Sequence, residues 1–103
     1  MAALMVVYMD INDDAWMPAY FEAVTPILAE YGAAPLAGSR DVKRIEGDLP
    51  APDRLLILSF PSEKAIDRFM EDERYRPYRD ARRAASNADI FVFENEIKTR
   101  ELV

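Results

Sequence analysis

The sequence predicts an α+β fold, an antiparallel sheet with helices on one face, in the order β-α-β-β-α-β with the second helix broken in two. Three observations predict it. The run Leu55-Leu56-Ile57-Leu58-Ser59-Phe60 stops at Pro61 and Ser62 and passes directly into helical spacing. A stripe at helical spacing, Trp16, Tyr20, Val24, Ile27, Leu28 and Tyr31, follows an earlier apolar run. A last apolar run, Ile90-Phe91-Val92-Phe93, comes after two short helical patterns.

Taken in order, Ala3 to Ile11 is apolar on both alternating faces and reads as the first strand. Asp13 or Asp14 offers the N-cap of the first helix. Pro18 lies near its first turn, where proline is tolerated. Pro26 lies inside it and should kink it near Glu22, whose carbonyl loses its donor. Gly32 closes this helix. Residues 34–46 read as a second, more polar strand, with a hairpin loop from Gly47 to Asp53, and Arg54 to Phe60 is the third strand. Ser62 caps a helix with the stripe Ala65, Ile66, Phe69 and Met70. Asp72 caps the next, which carries Tyr75, Tyr78, Ala81 and Ala85. Residues 89–96 form the fourth strand, and a short tail runs from Ile97 to Val103. This is the ferredoxin-like arrangement, with residues 1–103 as a single domain.

Composition narrows the function. Half of the 103 residues are apolar and 31% are charged, a globular profile. No apolar run approaches the roughly 20 residues of a membrane span. The start lacks the basic region of a signal peptide, so the expected location is cytoplasmic. There is no cysteine and no histidine. Disulfides, thiolate zinc sites, cysteine nucleophiles and serine–histidine triads are thereby excluded. Proton transfer would fall to a carboxylate, tyrosine, lysine or water, and neither a metal nor a cofactor is expected. A net charge of −6 opposes nucleic-acid binding, which needs a basic face.

The strands also predict assembly. The first, third and fourth are apolar on both faces, yet the helices cover one. Leaving rows such as Leu56, Leu58 and Phe60, or Phe91 and Phe93, in water costs about 1.5–3 kcal/mol per large side chain. A homodimer with the two open sheet faces packed together resolves this.

The chain resembles an uncharacterised bacterial family of the dimeric α/β-barrel superfamily, one known only as a domain of unknown function. The resemblance rests on Tyr20, Tyr31-Gly32, Glu46-Gly47-Asp48, Phe60-Pro61-Ser62, Tyr75 and Arg82, and spans nearly the whole chain. It implies the same fold and a sheet-to-sheet dimer. The chain departs from the family pattern at Ala33-Ala34 and Gly38-Ser39-Arg40, where glycine-rich stretches are usual, and at Phe69 and Asp72, where tryptophan and serine are usual.

The candidate site residues are Glu46, Arg82, Tyr8, Tyr20, Tyr75 and Asp48. Glu46 and Asp48 flank Gly47 and read either as a turn or as carboxylates presented to a pocket. Arg82 should face the sheet, and an inward arginine needs a partner. Either Glu46 supplies it, or Arg82 anchors a ligand carboxylate. The cluster Arg74, Arg76, Arg79, Arg82 and Arg83 could suggest anion binding, but Glu71, Asp72, Glu73 and Asp80 are interleaved with it and it reads as a salt-bridged helix surface. Tyr8, Tyr20 and Tyr75 could line a pocket for a small organic molecule, neutral or anionic. One alternative is a cofactor-independent enzyme, oxygenase- or isomerase-like, with Glu46 as base and Arg82 as anion anchor. Another is a structural dimer without a ligand.

Overall fold

A computed structural model describes residues 2–97, so the predicted tail beyond Ile97 lies outside the described residues. The elements are β1 (Ala3–Ile11), α1 (Met17–Glu30), β2 (Ala34–Ser39), β3 (Arg54–Phe60), α2 (Glu63–Met70), α3 (Arg76–Ala85) and β4 (Ser86–Glu94). They form the expected α+β fold. The sheet is antiparallel in the order β2-β3-β1-β4, compatible with a ferredoxin-like arrangement. The central strand β1 sets the faces. Met5, Val7 and Met9 are buried under the helices with Leu58 and Phe60 from β3, and Leu56 packs against them. The intervening residues form the other face, where Val6 lies opposite Ile57 and Phe91, and Leu4 opposite Phe93. Leu56, Leu58 and Phe60 therefore belong to the covered face, and only the phenylalanine pair of the expected wet rows is exposed. Phe91 is 63% and Phe93 46% exposed.

The junctions carry most of the sequence's local signals. Gly32 has φ +74°, and the Ala33 and Gly32 amides donate to the Leu28 and Ala29 carbonyls, a Schellman closure of α1. A side chain at Gly32 would meet Pro61 Cγ at 2.8 Å, so the helix end seats directly on the β3–α2 junction. There the Ser62 Oγ accepts the Ala65 amide at 3.1 Å and caps α2. Helix α1 runs through Pro26, which sits on its exposed side.

Five expectations are corrected. Neither Asp13 nor Asp14 caps α1: Trp16 holds the N-cap position without a side-chain bond, and the Asp13 carboxylate accepts the Ala15 amide one turn earlier. The second strand, an edge strand with a bulge at Leu36, ends at Ser39, and residues 40–53 run on as a largely exposed loop. Asp72 does not cap α3 directly. Its carboxylate accepts the Arg74 amide at 2.8 Å, and the helix starts at Arg76 after an uncapped Tyr75. Ala81, expected on the inner stripe of α3, is exposed. The fourth strand starts at Ser86 because α3 passes into it without a loop. The Ala85 carbonyl is satisfied by the Asn12 and Asp13 amides, and the Ser86 hydroxyl donates to the Arg82 carbonyl at 2.6 Å.

Candidate functional site

Between the helix layer and the sheet lies a cleft of about 950 Å³. Its floor is Met5, Val7, Met9, Leu56 and Leu58, and its roof includes Tyr20 and Val24 from α1 with Tyr75 and Arg82. An aromatic chain runs along it. Tyr20 stands edge-on to Trp16 at 5.1 Å and to Tyr75 at 6.0 Å between ring centroids, and Phe69 stacks on Tyr75 at 4.2 Å. The helical spacing of Trp16 and Tyr20 on α1 and the buried turn before α3 that holds Tyr75 bring these rings together.

Two polar features stand in the roof of the cleft. The Tyr20 and Tyr75 hydroxyls are 2.9 Å apart, and either can donate to the other. Burial, and then the Tyr75 hydroxyl, push the Tyr20 phenol far above the ordinary tyrosine pKa, while the Arg82 guanidinium beside it pulls the other way. Tyr20 is therefore a neutral donor at any physiological pH, not a base. Arg82 is the second feature. It is only 5% exposed, and no carboxylate lies within ion-pair distance of it among the described residues. A smaller hollow of about 580 Å³ lies on its other side, between α3 and β4, and shares Met70, Arg82 and Ile90 with the cleft. The Trp16 indole Nε1 is buried at the cleft wall without a partner among the described residues.

The predicted site residues divide sharply. Tyr20, Tyr75 and Arg82 come together in the cleft. Tyr8 does not join them. It lies on the opposite face of the sheet, across from Leu55 and Asp89, where partial burial and then Asp10 and Asp89 raise its pKa. Glu46 and Asp48 are exposed in the 40–53 loop and do not line the cleft. Gly47 between them has φ +100°, a turn conformation that favours glycine. Glu46 thus forms no pair with Arg82, because its strand ends well before it. The sequence reading missed Trp16, Arg40 and Arg54 as cleft-lining groups. Arg54 had a signal: it precedes Leu56 by two, so strand alternation puts it on the same face.

Residues 2–95 match the family model described as "Domain of unknown function (DUF1330)". No curated protein matches the chain by sequence. Among solved structures, the chain is similar to the RPA0582 protein of Rhodopseudomonas palustris, with a TM-score of 0.80 and 16% identity over 94% of this chain and 84% of that one. It is also similar to SnoaB, a cofactor-independent oxygenase from Streptomyces nogalater, with a TM-score of 0.62 and 14% identity over 97% of this chain and 98% of that one. An antibiotic biosynthesis monooxygenase is similar at a TM-score of 0.57, with 17% identity over 92% and 98% of the two chains. At these identities the likeness establishes the fold.

Proposed function

We propose that this chain, which belongs to the DUF1330 family, binds a small, largely apolar organic anion in the cleft between its helices and its sheet. One observation carries the reading: Arg82 is buried at the cleft wall with no carboxylate among the described residues to neutralise it. An uncompensated buried charge costs several kcal/mol, so its retention needs a reason. A carboxylate on a ligand is the natural one, because a guanidinium holds it through paired N–H bonds. The aromatic and methionine lining then accepts the rest of the molecule. The test is calorimetric titration of the full chain with benzoate and its uncharged isostere benzamide. Benzoate should bind and benzamide should not. Equal binding of the two, or binding of neither, sinks the reading.

A second reading is catalytic, and the Tyr20–Tyr75 hydroxyl pair beside Arg82 favours it. Together these donors would stabilise negative charge developing on a substrate oxygen. Fold likeness to SnoaB is analogy only. Glu46, exposed in its loop, does not supply the base, so a substrate that ionises easily is the one this site suits.

We also propose that two copies pack through the open sheet face, with Val6, Ile57, Phe91 and Phe93 at the centre. Such an interface must bury more than about 1,000 Å² to be stable. Light scattering should give a dimer, and Phe91→Asp should shift it to monomer. A wild-type monomer of 11.8 kDa at micromolar concentration sinks the assembly.

A further inference from the structure

We infer that the cleft is shaped for a dianion: an apolar body with one carboxylate at Arg82 and a second at Arg54 and Arg40. The inference rests on the anion-binding reading above and adds the second charge and its holders.

The chain carries 19 acidic and 13 basic residues, yet the lining of this cleft reverses that balance. Arg40, Arg54 and Arg82 line it, and among the described residues no aspartate or glutamate does. None of the three makes an ion pair among the described residues, whereas Arg74 and Arg79, outside the cleft, are each paired twice.

The three occupy two places. Arg82 descends from α3 beside the Tyr20 hydroxyl. Arg54 rises from the floor, opposite Met9 and on the same face of β3 as Leu56. It is half-buried, and Arg40 is exposed just past the end of β2. Gly38 lines the cleft on the same edge, and a Cβ there would meet Leu56 Cδ1 at 3.1 Å. The wall therefore stays low where a ligand would reach from the apolar floor toward Arg40 and Arg54.

One carboxylate neutralises Arg82 and leaves two more like charges, Arg40 and Arg54, in the lining of one cavity. A second carboxylate removes that repulsion and gains further charge-assisted hydrogen bonds. The floor between the two places, Val7, Met9 and Leu56, is apolar, so the linking part of the ligand is apolar as well. A dicarboxylate with an alkyl or aromatic spacer has this chemistry.

The test is calorimetric titration of the full chain with matched probes: hexanoate against adipate and suberate, and benzoate against isophthalate and terephthalate. At least one dicarboxylate should bind about tenfold more tightly than its monocarboxylate. Arg54→Gln should erase that advantage while lowering benzoate affinity far less than Arg82→Gln does, Arg54→Lys should keep part of it, and Arg82→Gln should weaken both classes. If every dicarboxylate binds no better than its monocarboxylate, or if Arg54→Gln leaves the advantage intact or weakens both classes equally, the dianion inference is overturned. The single-anion reading still stands in those cases if Arg82→Gln abolishes benzoate binding. If no carboxylate binds, both fall together.

Discussion

Arg79 and Arg82 stand one turn apart on α3, both largely withdrawn from water, and their surroundings differ completely. The Arg79 guanidinium lies 3.4 Å from Asp80 and 3.8 Å from Glu71, and donates to the Met70 carbonyl at 2.9 Å. Among the described residues Arg82 has no carboxylate in reach, and it lines a cleft. The segment before α3 behaves like Arg79: Arg74 bridges Glu30 and Asp72, and Asp72 also accepts the Tyr31 hydroxyl at 2.7 Å. One stretch of arginines thus contains two kinds of charge. Of the paired ones, Arg74 ties α1 to the turn before α3, and Arg79 ties α3 to the end of α2. Arg76 and Arg83 make no ion pair among the described residues but stand in water, whereas Arg82 is buried without one.

The largest effect that could break this comparison is on Arg82→Met. Methionine keeps the length and apolar stem while removing the stranded charge. Benzoate affinity should fall about 100-fold, the worth of a bidentate charge-assisted contact. Thermal stability should hold or rise, since replacing a buried charge by an apolar side chain is often neutral or stabilising. A pair with Glu46 would predict the opposite sign, a loss of roughly 3–5 kcal/mol. Circular-dichroism melting separates the two, and a large destabilisation with benzoate binding intact would make Arg82 structural.

Next in size is the hydroxyl pair. Tyr20→Phe should weaken benzoate about tenfold at most, the worth of one hydrogen bond near 1 kcal/mol. It should also change the alkaline limb of stability. The Tyr20 pKa is raised in the folded protein, so its contribution is full below the ordinary tyrosine value of 10.0 and is lost as pH rises above it. The variant should therefore resist alkaline unfolding better than wild type, measured by melting temperature between neutral pH and pH values above that value. An identical alkaline limb in both proteins would mean the phenol is not held neutral by burial.

The architecture was legible because the junctions are written in residues with strong local rules. Tyr31-Gly32 closes α1, and Pro61-Ser62 opens α2, and these two short signals turn out to touch, Gly32 against Pro61. The inward position of Arg82 was legible too, from its spacing past Tyr78. Tyr8 was misplaced for a simple reason: tyrosine suits either face of a sheet, and only the register decides which. The Glu46 partnership failed because a strand was read through residues 40–46, where the edge strand has already ended. The 40–53 loop keeps Ile45 and Leu49 exposed, so its apolar residues imitate a strand without being one. Arg40 and Arg54 were passed over because an arginine at a strand end ordinarily reads as solvated. What makes them candidates is the lack of any carboxylate in the same cavity, which is a property of the fold and not of any local pattern.

A smaller effect sharpens the paired side of the comparison. Arg74 first, and then the Tyr31 hydroxyl, hold the Asp72 carboxyl well below its ordinary value of 3.8. A carboxylate depressed in the folded state stabilises it above the unfolded value, and the contribution fades as pH falls below that value. Asp72→Asn should therefore lower the melting temperature at neutral pH and narrow the gap to wild type as the solution is acidified below pH 3.8. A gap that stays constant down the acid limb would place the loss in packing and not in charge. Benzoate binding should be untouched, since Asp72 does not line the cleft.

The smallest effect belongs to Arg79→Ala, the near neighbour of the residue with the largest. Its carboxylate partners are exposed, with side chains 61% and 74% accessible, so the ion pairs together are worth about 1 kcal/mol or less. The bond to the Met70 carbonyl adds a similar amount, because that acceptor ties the end of α2 to α3. The melting temperature should drop by a few degrees, the drop should shrink with added salt, and benzoate affinity should stay at the wild-type value. A loss of benzoate affinity here comparable to that of Arg82→Met would mean that the arginines act as one diffuse positive field. Retained affinity would mean that the cleft reads charge through Arg82 itself, one helical turn from a residue that carries the same charge and binds nothing.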